Sequence, residues 1–264
     1  MKILILGGTG DALSISQSLI AAKHNITYSI AGIVRQPKLD CRTLSGGFSI
    51  QQTPDGEKHF ANGAEGLQWH LKEEAYDLVV DATHPYAIQI SRNIVAAAKQ
   101  VGVPVWRYLR APWKESTEDN WLEFDSMEEI ISQLKPYQKP FFTVGREVFS
   151  KADLRDPSQQ WLVRSAGVES VNNPNISELK DIGPFTLEDE FALFKSYGVD
   201  ALISKNSGGE AVVAKLEAAR LLGIPVFLLG RPDKATADQC FSSKQTLIEQ
   251  INSSSTPLNN KFTG

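Results

Sequence analysis

Short apolar runs bounded by turns alternate along this chain with stretches whose apolar residues recur at helical spacing. The runs Lys2–Leu6, Thr27–Ala31, Leu78–Ala82, Val103–Tyr108, Pro140–Val144, Trp161–Ser165, Ala201–Ser204 and Pro225–Leu229 predict strands. Helical spacing predicts helices over Ala12–Ala22, Ala64–Glu74, Ala87–Gln100, Met127–Lys135, Leu187–Tyr197 and Glu210–Leu222. Strands this uniformly apolar are buried on both faces, and their alternation with helices is the pattern of a mostly parallel α/β fold.

The pattern also repeats. Ala98-Lys-Gln-Val-Gly-Val-Pro-Val-Trp aligns without a gap with Ala219-Arg-Leu-Leu-Gly-Ile-Pro-Val-Phe. At the same offset Thr83-His84-Pro85-Tyr86 falls opposite Ser204-Lys205-Asn206-Ser207. In both copies a glycine closes the helix and a proline opens the next strand. The expectation is an α/β protein of two Rossmann-like lobes with mostly parallel sheets and a cleft between them. Residues 1–115 form the first lobe, 116–251 the second, and the polar tail 252–264 is disordered.

Composition narrows the chemistry. Hydrophobic and charged contents of 42% and 22% are those of a globular protein, and a net charge of −4 disfavours nucleic acid or a membrane surface as partner. An anionic ligand therefore needs a local basic cluster. Cys41 and Cys240 stand in no metal or disulfide spacing. No run reaches membrane-spanning length, and the amino terminus lacks the features of a secretory signal. A cytoplasmic protein without a metal site is expected.

The strand Lys2–Leu6 breaks into Gly7-Gly8-Thr9-Gly10-Asp11 and a helix follows at once. Glycines let the backbone approach an anion, and N–H groups at the helix start point toward it. The third glycine of the usual dinucleotide fingerprint is missing, so tight strand-to-helix packing is an equal reading here. After the second strand no carboxylate precedes Asp40, whereas Arg35 is present. That favours NADP over NAD, with a solvated loop arginine as the alternative. Asp81-Ala82-Thr83-His84-Pro85-Tyr86 follows a buried strand, where ligands bind in open sheets, and Pro85 holds His84 extended. A lone histidine is more often structural than catalytic. Thr143-Val144-Gly145-Arg146 repeats the strand-then-glycine design, with Arg146 able to grip a carboxylate or to pair with Glu147 or Asp153. Ser204-Lys205-Asn206-Ser207-Gly208-Gly209 offers an anion nest with a lysine charge beside it.

Together these segments resemble the precorrin-6A reductase family of cobalamin biosynthesis. The resemblance rests on Gly7–Ala12, Ala31-Gly32, Gly46-Gly47-Phe48, Asp81–Ala87, Leu109–Trp113, Thr143–Arg146 and Ser204–Gly209, in that order along the chain. The family's arginine after Ala-Gly is preceded here by Ile33 and Val34, which leaves Arg35 for that role. The resemblance implies an NADPH-dependent reductase acting on one ring double bond of precorrin-6A, or of its cobalt-containing counterpart. NADPH is then expected on Gly7, Gly8, Thr9, Gly10, Asp11, Arg35, Asp81, Ala82 and Thr83. The carboxylate arms of the tetrapyrrole would meet Thr143, Gly145, Arg146, Lys205, Ser207, Gly208 and Gly209. His84, Tyr86 and Lys205 are the candidate catalytic groups, and hand-over to neighbouring pathway enzymes is possible. A short-chain dehydrogenase is a rival, but its Tyr-x-x-x-Lys pair is absent after Tyr108 and Tyr197. A non-catalytic NADP-responsive binding protein is the other.

Overall fold

The computed structural model describes residues 1–30, 38–166 and 173–254. The chain divides into two compact units, Ala111–Pro232 and a first unit made of Met1–Arg110 together with the chain from Asp233 onward. In the first unit β1 (Lys2–Leu6), α1 (Gly10–Ala21), β2 (Asn25–Ile30) and β3 (Arg42–Ser45) come first. An antiparallel hairpin of β4 (Ile50–Thr53) and β5 (Gly56–His59) follows, then α2 (Gly63–Glu74), β6 (Leu78–Asp81), α3 (Ile88–Val101) and β7 (Val105–Tyr108). The second unit contains β8 (Trp121–Phe124), α4 (Met127–Gln133), β9 (Pro140–Phe142), a 3-10 segment (Arg146–Leu154), β10 (Trp161–Ser165) and β11 (Ile176–Lys180). It continues with α5 (Leu187–Tyr197), β12 (Ala201–Lys205), α6 (Ala214–Leu222) and β13 (Val226–Leu229). The chain then returns to the first unit as β14 (Gln239–Phe241) and α7 (Lys244–Ser254).

Both large sheets are parallel throughout. The first runs β3-β2-β1-β6-β7-β14, which is the order of a dinucleotide-binding sheet with its reversal between β1 and β6. The second runs β11-β10-β9-β12-β13-β8, the same arrangement with its reversal between β9 and β12. The two differ in where the last strand comes from. In the second sheet that place is taken by β8, which precedes the others in sequence. In the first it is taken by β14, which arrives only after the whole second unit.

Each sheet is coated on both faces by its own unit's helices. On the first, Ile3, Ile5 and Tyr28 pack with Ile15 and Leu19 of α1, whereas Leu4, Leu6 and Val79 pack with Leu67, Leu71 and Ile94 of α2 and α3. On the second, Phe142, Val163 and Ile203 face α4, and Phe141, Leu202 and Val226 face α5 and α6. Capping fixes the helix ends: Thr9, Asn62, Ser126 and Thr186 accept from first-turn N–H groups, and Gly102, Gly198 and Gly223 close α3, α5 and α6 in the left-handed conformation.

The structure corrects four expectations. The second unit ends at Pro232 and not at 251, because β14 pairs in parallel with β7 and α7 buries Leu247 and Ile251 against the first sheet's core. For the same reason residues 252–254, expected in a disordered tail, are the last turn of α7. The helix expected from Glu210 is a short 3-10 turn (Glu210–Val212) before α6 begins at Ala214. Finally, β3, β8, β11, β14, the two hairpin strands and the helix α7 are elements that the sequence pattern does not predict. The expected strand end at Ala31 lies outside the described residues.

Candidate functional site

At the first sheet's reversal, the carboxyl ends of β1 and β6 lie side by side, pairing Leu6 with Asp81. The turn after β1 brings Gly7, Gly8, Thr9, Gly10 and Asp11 there, and the turn after β6 brings Ala82, Thr83 and His84. Gly8 sits at φ +100, a conformation that only glycine adopts without strain, with open space where a side chain would go. Its N–H donates to the Tyr28 hydroxyl (2.9 Å), so β2 supports the turn from below. Thr9 caps α1 by accepting from the Ala12 N–H (3.1 Å) and donates to the Ala82 carbonyl (3.1 Å), tying the two turns together. The N–H groups of Gly10 and Asp11 open α1 ahead of its internal ladder, at the positive end of the helix dipole.

Asp11 would repel an anion at this turn were its charge not matched. It is bridged by Arg110 (2.8 Å) and Lys244 (3.0 Å), the latter from α7. Burial works to raise its pKa, but hydrogen bonds and charge from these two cations outweigh it and hold the carboxyl below its usual range.

Asp81 has a different role from the one expected. It is fully buried, and its oxygens are engaged inside the protein. Its carboxylate accepts from the Thr83 hydroxyl (2.6 Å), Ser91 (2.7 Å) and the Arg107 Nε (2.9 Å). Burial raises its pKa, and the charges of Lys234 and Arg107 with the Thr83 and Ser91 bonds reverse that, leaving a carboxylate. Lys234 adds bonds to Thr83 (3.1 Å) and Ser91 (2.8 Å). Asp81 thus fixes the Thr83–His84 loop from beneath.

Within that loop His84 and Tyr86 are half-buried with ring centroids 5.7 Å apart, and the Tyr86 N–H donates to His84 Nδ1 (3.3 Å). A neutral imidazole accepting at Nδ1 carries its proton on Nε2. Beside them is a recess of about 510 Å³, counting space open to solvent, walled by Gly7, Gly8, Ser29, Gly46, Gly47, Phe48, Thr83 and His84. Arg35 lies outside the described residues.

At the second sheet's reversal, β9 and β12 bring Thr143–Arg146 and Lys205–Gly209 to the same end. Their side chains are more committed than expected. The Thr143 hydroxyl donates to the Ile203 carbonyl (3.0 Å) and accepts from Lys215 (2.8 Å), so it shapes the turn and its single proton is already committed. Arg146 pairs with Glu178 of β11 (3.1 Å), not with Glu147 or Asp153. Lys205 pairs with Glu147 (2.6 Å). Of the expected nest, the Asn206 N–H donates to Leu229 and the Ser207 N–H to Lys205, and Gly208 is held against the Ala111 carbonyl at φ +68. Asn206 accepts from the Trp113 N–H (2.9 Å), which anchors the Leu109–Trp113 motif. Two N–H groups of the expected nest, those of Asn206 and Ser207, are therefore spent inside the protein, and Arg146 and Lys205 add positive charge at this end.

Tyr28, Gly46, Gly47, Phe48, Ser91, Lys234 and Lys215 also belong to these two ends, beyond the residues expected there. Gly46–Phe48 had a signal, since the resemblance already rested on it; Lys234 and Lys215 reach their partners from so far along the chain that no local pattern marks them. Among the described residues no group of three or more His, Cys, Asp or Glu side chains could hold a metal ion, and no helix is long and apolar enough to cross a membrane.

Comparison with known proteins matches residues 2–252 to the model of the family described as precorrin-6x reductase CbiJ/CobK. The precorrin-6A reductase of Rhodococcus erythropolis is 36% identical over 238 residues, covering 88% of this chain and 89% of that protein. A cobalt-precorrin-6A reductase of Priestia megaterium is 27% identical, covering 87% and 90%. A solved structure of CobK precorrin-6A reductase superposes with a TM-score of 0.81 at 30% identity, covering 96% of this chain and 97% of that one. The chain belongs to the precorrin-6x reductase family.

Proposed function

We propose that this protein is an NADPH-dependent oxidoreductase that reduces one ring double bond of precorrin-6A to give the 6B form. The observation that carries the reading is the Gly7–Asp11 turn at the β1–β6 reversal, within a chain matched to one reductase family along nearly its whole length. The higher identity to the relative named for the metal-free substrate ranks precorrin-6A ahead of its cobalt-containing counterpart.

The turn fits a dinucleotide. The open Gly8 position admits a pyrophosphate close to the backbone, the Gly10 and Asp11 N–H groups face it, and the paired Asp11 does not oppose it. Arg35 is proposed to hold the 2′-phosphate on the sequence argument alone. Bound there, NADPH would supply the hydride. The protein's own work is positional: Ala82, Thr83 and the Asp81 network hold the loop that presents His84. His84, with its proton on Nε2, or Tyr86 supplies the proton that accompanies reduction. Lys205 exchanges the exposed Glu147 for a carboxylate arm of the macrocycle at small cost, whereas Arg146 receives another arm while still holding the nearly buried Glu178.

The test is turnover. Protein mixed with NADPH and precorrin-6A consumes NADPH as the pigment changes colour, and faster than with cobalt-precorrin-6A. Tight NADPH binding without oxidation would overturn the enzyme reading in favour of a binding protein. Arg35→Ala is expected to lower the preference for NADPH over NADH by roughly tenfold or more, the scale of one charge-assisted phosphate contact. An unchanged preference removes Arg35 from the site.

A further inference from the structure

Lys215, on α6, is 5% exposed, and the mechanism above makes no use of it. Its ammonium donates to Thr143 Oγ1 (2.8 Å) and lies 5.8 Å from the centre of the Trp113 ring. One hydroxyl and an aromatic face are sparse company for a buried cation with three N–H donors. The charged groups facing it are Glu190 on α5 and Arg164 on β10. Glu190 offers little net charge, because Arg164 grips it with two bonds of 2.6 and 3.0 Å while stacking 3.9 Å from the Phe185 ring centre.

The placement links this amine to the second unit's binding end. Thr143 follows β9 and opens the turn to Arg146. Its hydroxyl accepts from Lys215 and donates to the carbonyl of Ile203, two residues before Lys205 on β12. A charged amine has no lone pair, so it forces the Thr143 hydroxyl to accept from it and to point its proton at β12. A neutral amine can itself accept, and that constraint on the hydroxyl is lifted. We infer that Lys215 is a positioning residue whose protonation, relayed through Thr143, holds the Thr143–Arg146 turn and the end of β12 in the arrangement that binds the substrate's carboxylates. This rests on the proposed reading of that end as the carboxylate site.

Burial pulls the Lys215 ammonium down to about 7; Glu190 opposes the shift and Arg164 adds to it. The charged form is thus lost as pH rises through neutrality, and substrate affinity falls in the same window. In wild-type protein, KM for precorrin-6A is expected to rise roughly threefold to tenfold between about pH 6 and pH 8.5, with kcat and NADPH affinity lacking that transition. Lys215→Met, of similar length and suited to burial, is expected to show a high KM that no longer varies across the window. A wild-type KM flat across the window, or a rise that persists in Lys215→Met, overturns the inference.

A substrate-free measurement separates this from the functional reading and does not depend on the variant folding. In protein labelled with nitrogen-15, the Lys215 amine should titrate near neutrality, and the Gly145 and Arg146 amide signals should move with the same midpoint. If precorrin-6A is not turned over but these signals move together, the proposed function fails and the coupling stands. If the amine titrates while the amides stay still, the coupling fails whatever the substrate.

Discussion

His70 shows how one buried side chain sets the acid limit of the fold. It sits on α2 at 3% exposure, bonded to the Tyr76 hydroxyl (3.1 Å) and packed beside Phe48. Burial takes its pKa from 6.5 to about 4; Glu74 opposes the shift and Arg42 and Lys2 add to it. The folded state therefore holds a neutral ring where the unfolded chain is protonated. Stability is intact above the unfolded value and falls as pH drops from 6.5 toward 4. At about 1.4 kcal/mol per pKa unit, the loss approaches roughly 3 kcal/mol. Urea unfolding across that range should show the slope, and His70→Gln should remove close to one proton's worth of it; an unaltered slope would refute the assignment. The same physics explains what was legible at this scale. Residue types at Gly7–Asp11, Thr83–Tyr86 and Thr143–Arg146 mark the carboxyl ends of β1, β6 and β9, because glycine and charge after a buried strand have few purposes. Sequence does not say which of those charges are already spent. Asp81, Thr143 and the Ser207 N–H read as ligand groups and turn out to be bonded internally.

At the scale of elements, α2 lines none of the recess but supports one of its walls. Gly66, near the start of that helix, packs so closely on the Phe48 backbone that a Cβ there would overlap the Phe48 carbonyl. Glycine to alanine inside a helix normally stabilises by about 1 kcal/mol. Here Gly66→Ala is expected to reverse that sign, costing roughly 1–3 kcal/mol by overpacking. Because Phe48 with Gly46 and Gly47 walls the recess, NADPH affinity should fall as well. Thermal unfolding and a fluorescence titration read the two effects; a more stable variant with unchanged affinity would count against this placement. Which elements the sequence reveals follows from burial. β1, β6, β9 and β12 are central, covered on both faces, and read as unbroken apolar runs. β3, β14, β8 and β11 are the four edges of the two sheets, and their sequences RTLS, QCF, WLEF and ISELK carry too much polarity to stand out.

For the molecule as a whole, the internal repeat correctly announces two sheets of one design. It cannot announce that the first sheet is finished by the end of the chain, since an edge strand and a partly polar helix leave no periodic trace. The consequence is an asymmetry in how the units depend on the chain. All six strands of the second sheet lie within Ala111–Pro232, so that unit is complete in one stretch. The first unit needs residues beyond it. β14 covers the edge of β7, Asp238 accepts from the Val105 N–H (2.7 Å), and Lys234 holds Thr83 and Ser91. On α7, Leu247 and Ile251 are fully buried against the α1 face, and side chains of this kind cost about 2–5 kcal/mol each when truncated to alanine in a core. Lys244 also helps neutralise Asp11 beside the proposed pyrophosphate site. Ending the chain after Pro232 removes all of these together, a loss comparable to the stability of a whole domain. The truncated protein is expected to lose NADPH binding and amide protection in β1, β6 and β7 while retaining protection in β9, β12 and β13. Hydrogen exchange resolved along the chain distinguishes the two sets. Protection surviving in both, with NADPH still bound, would show that the carboxyl-terminal return is dispensable to the first unit.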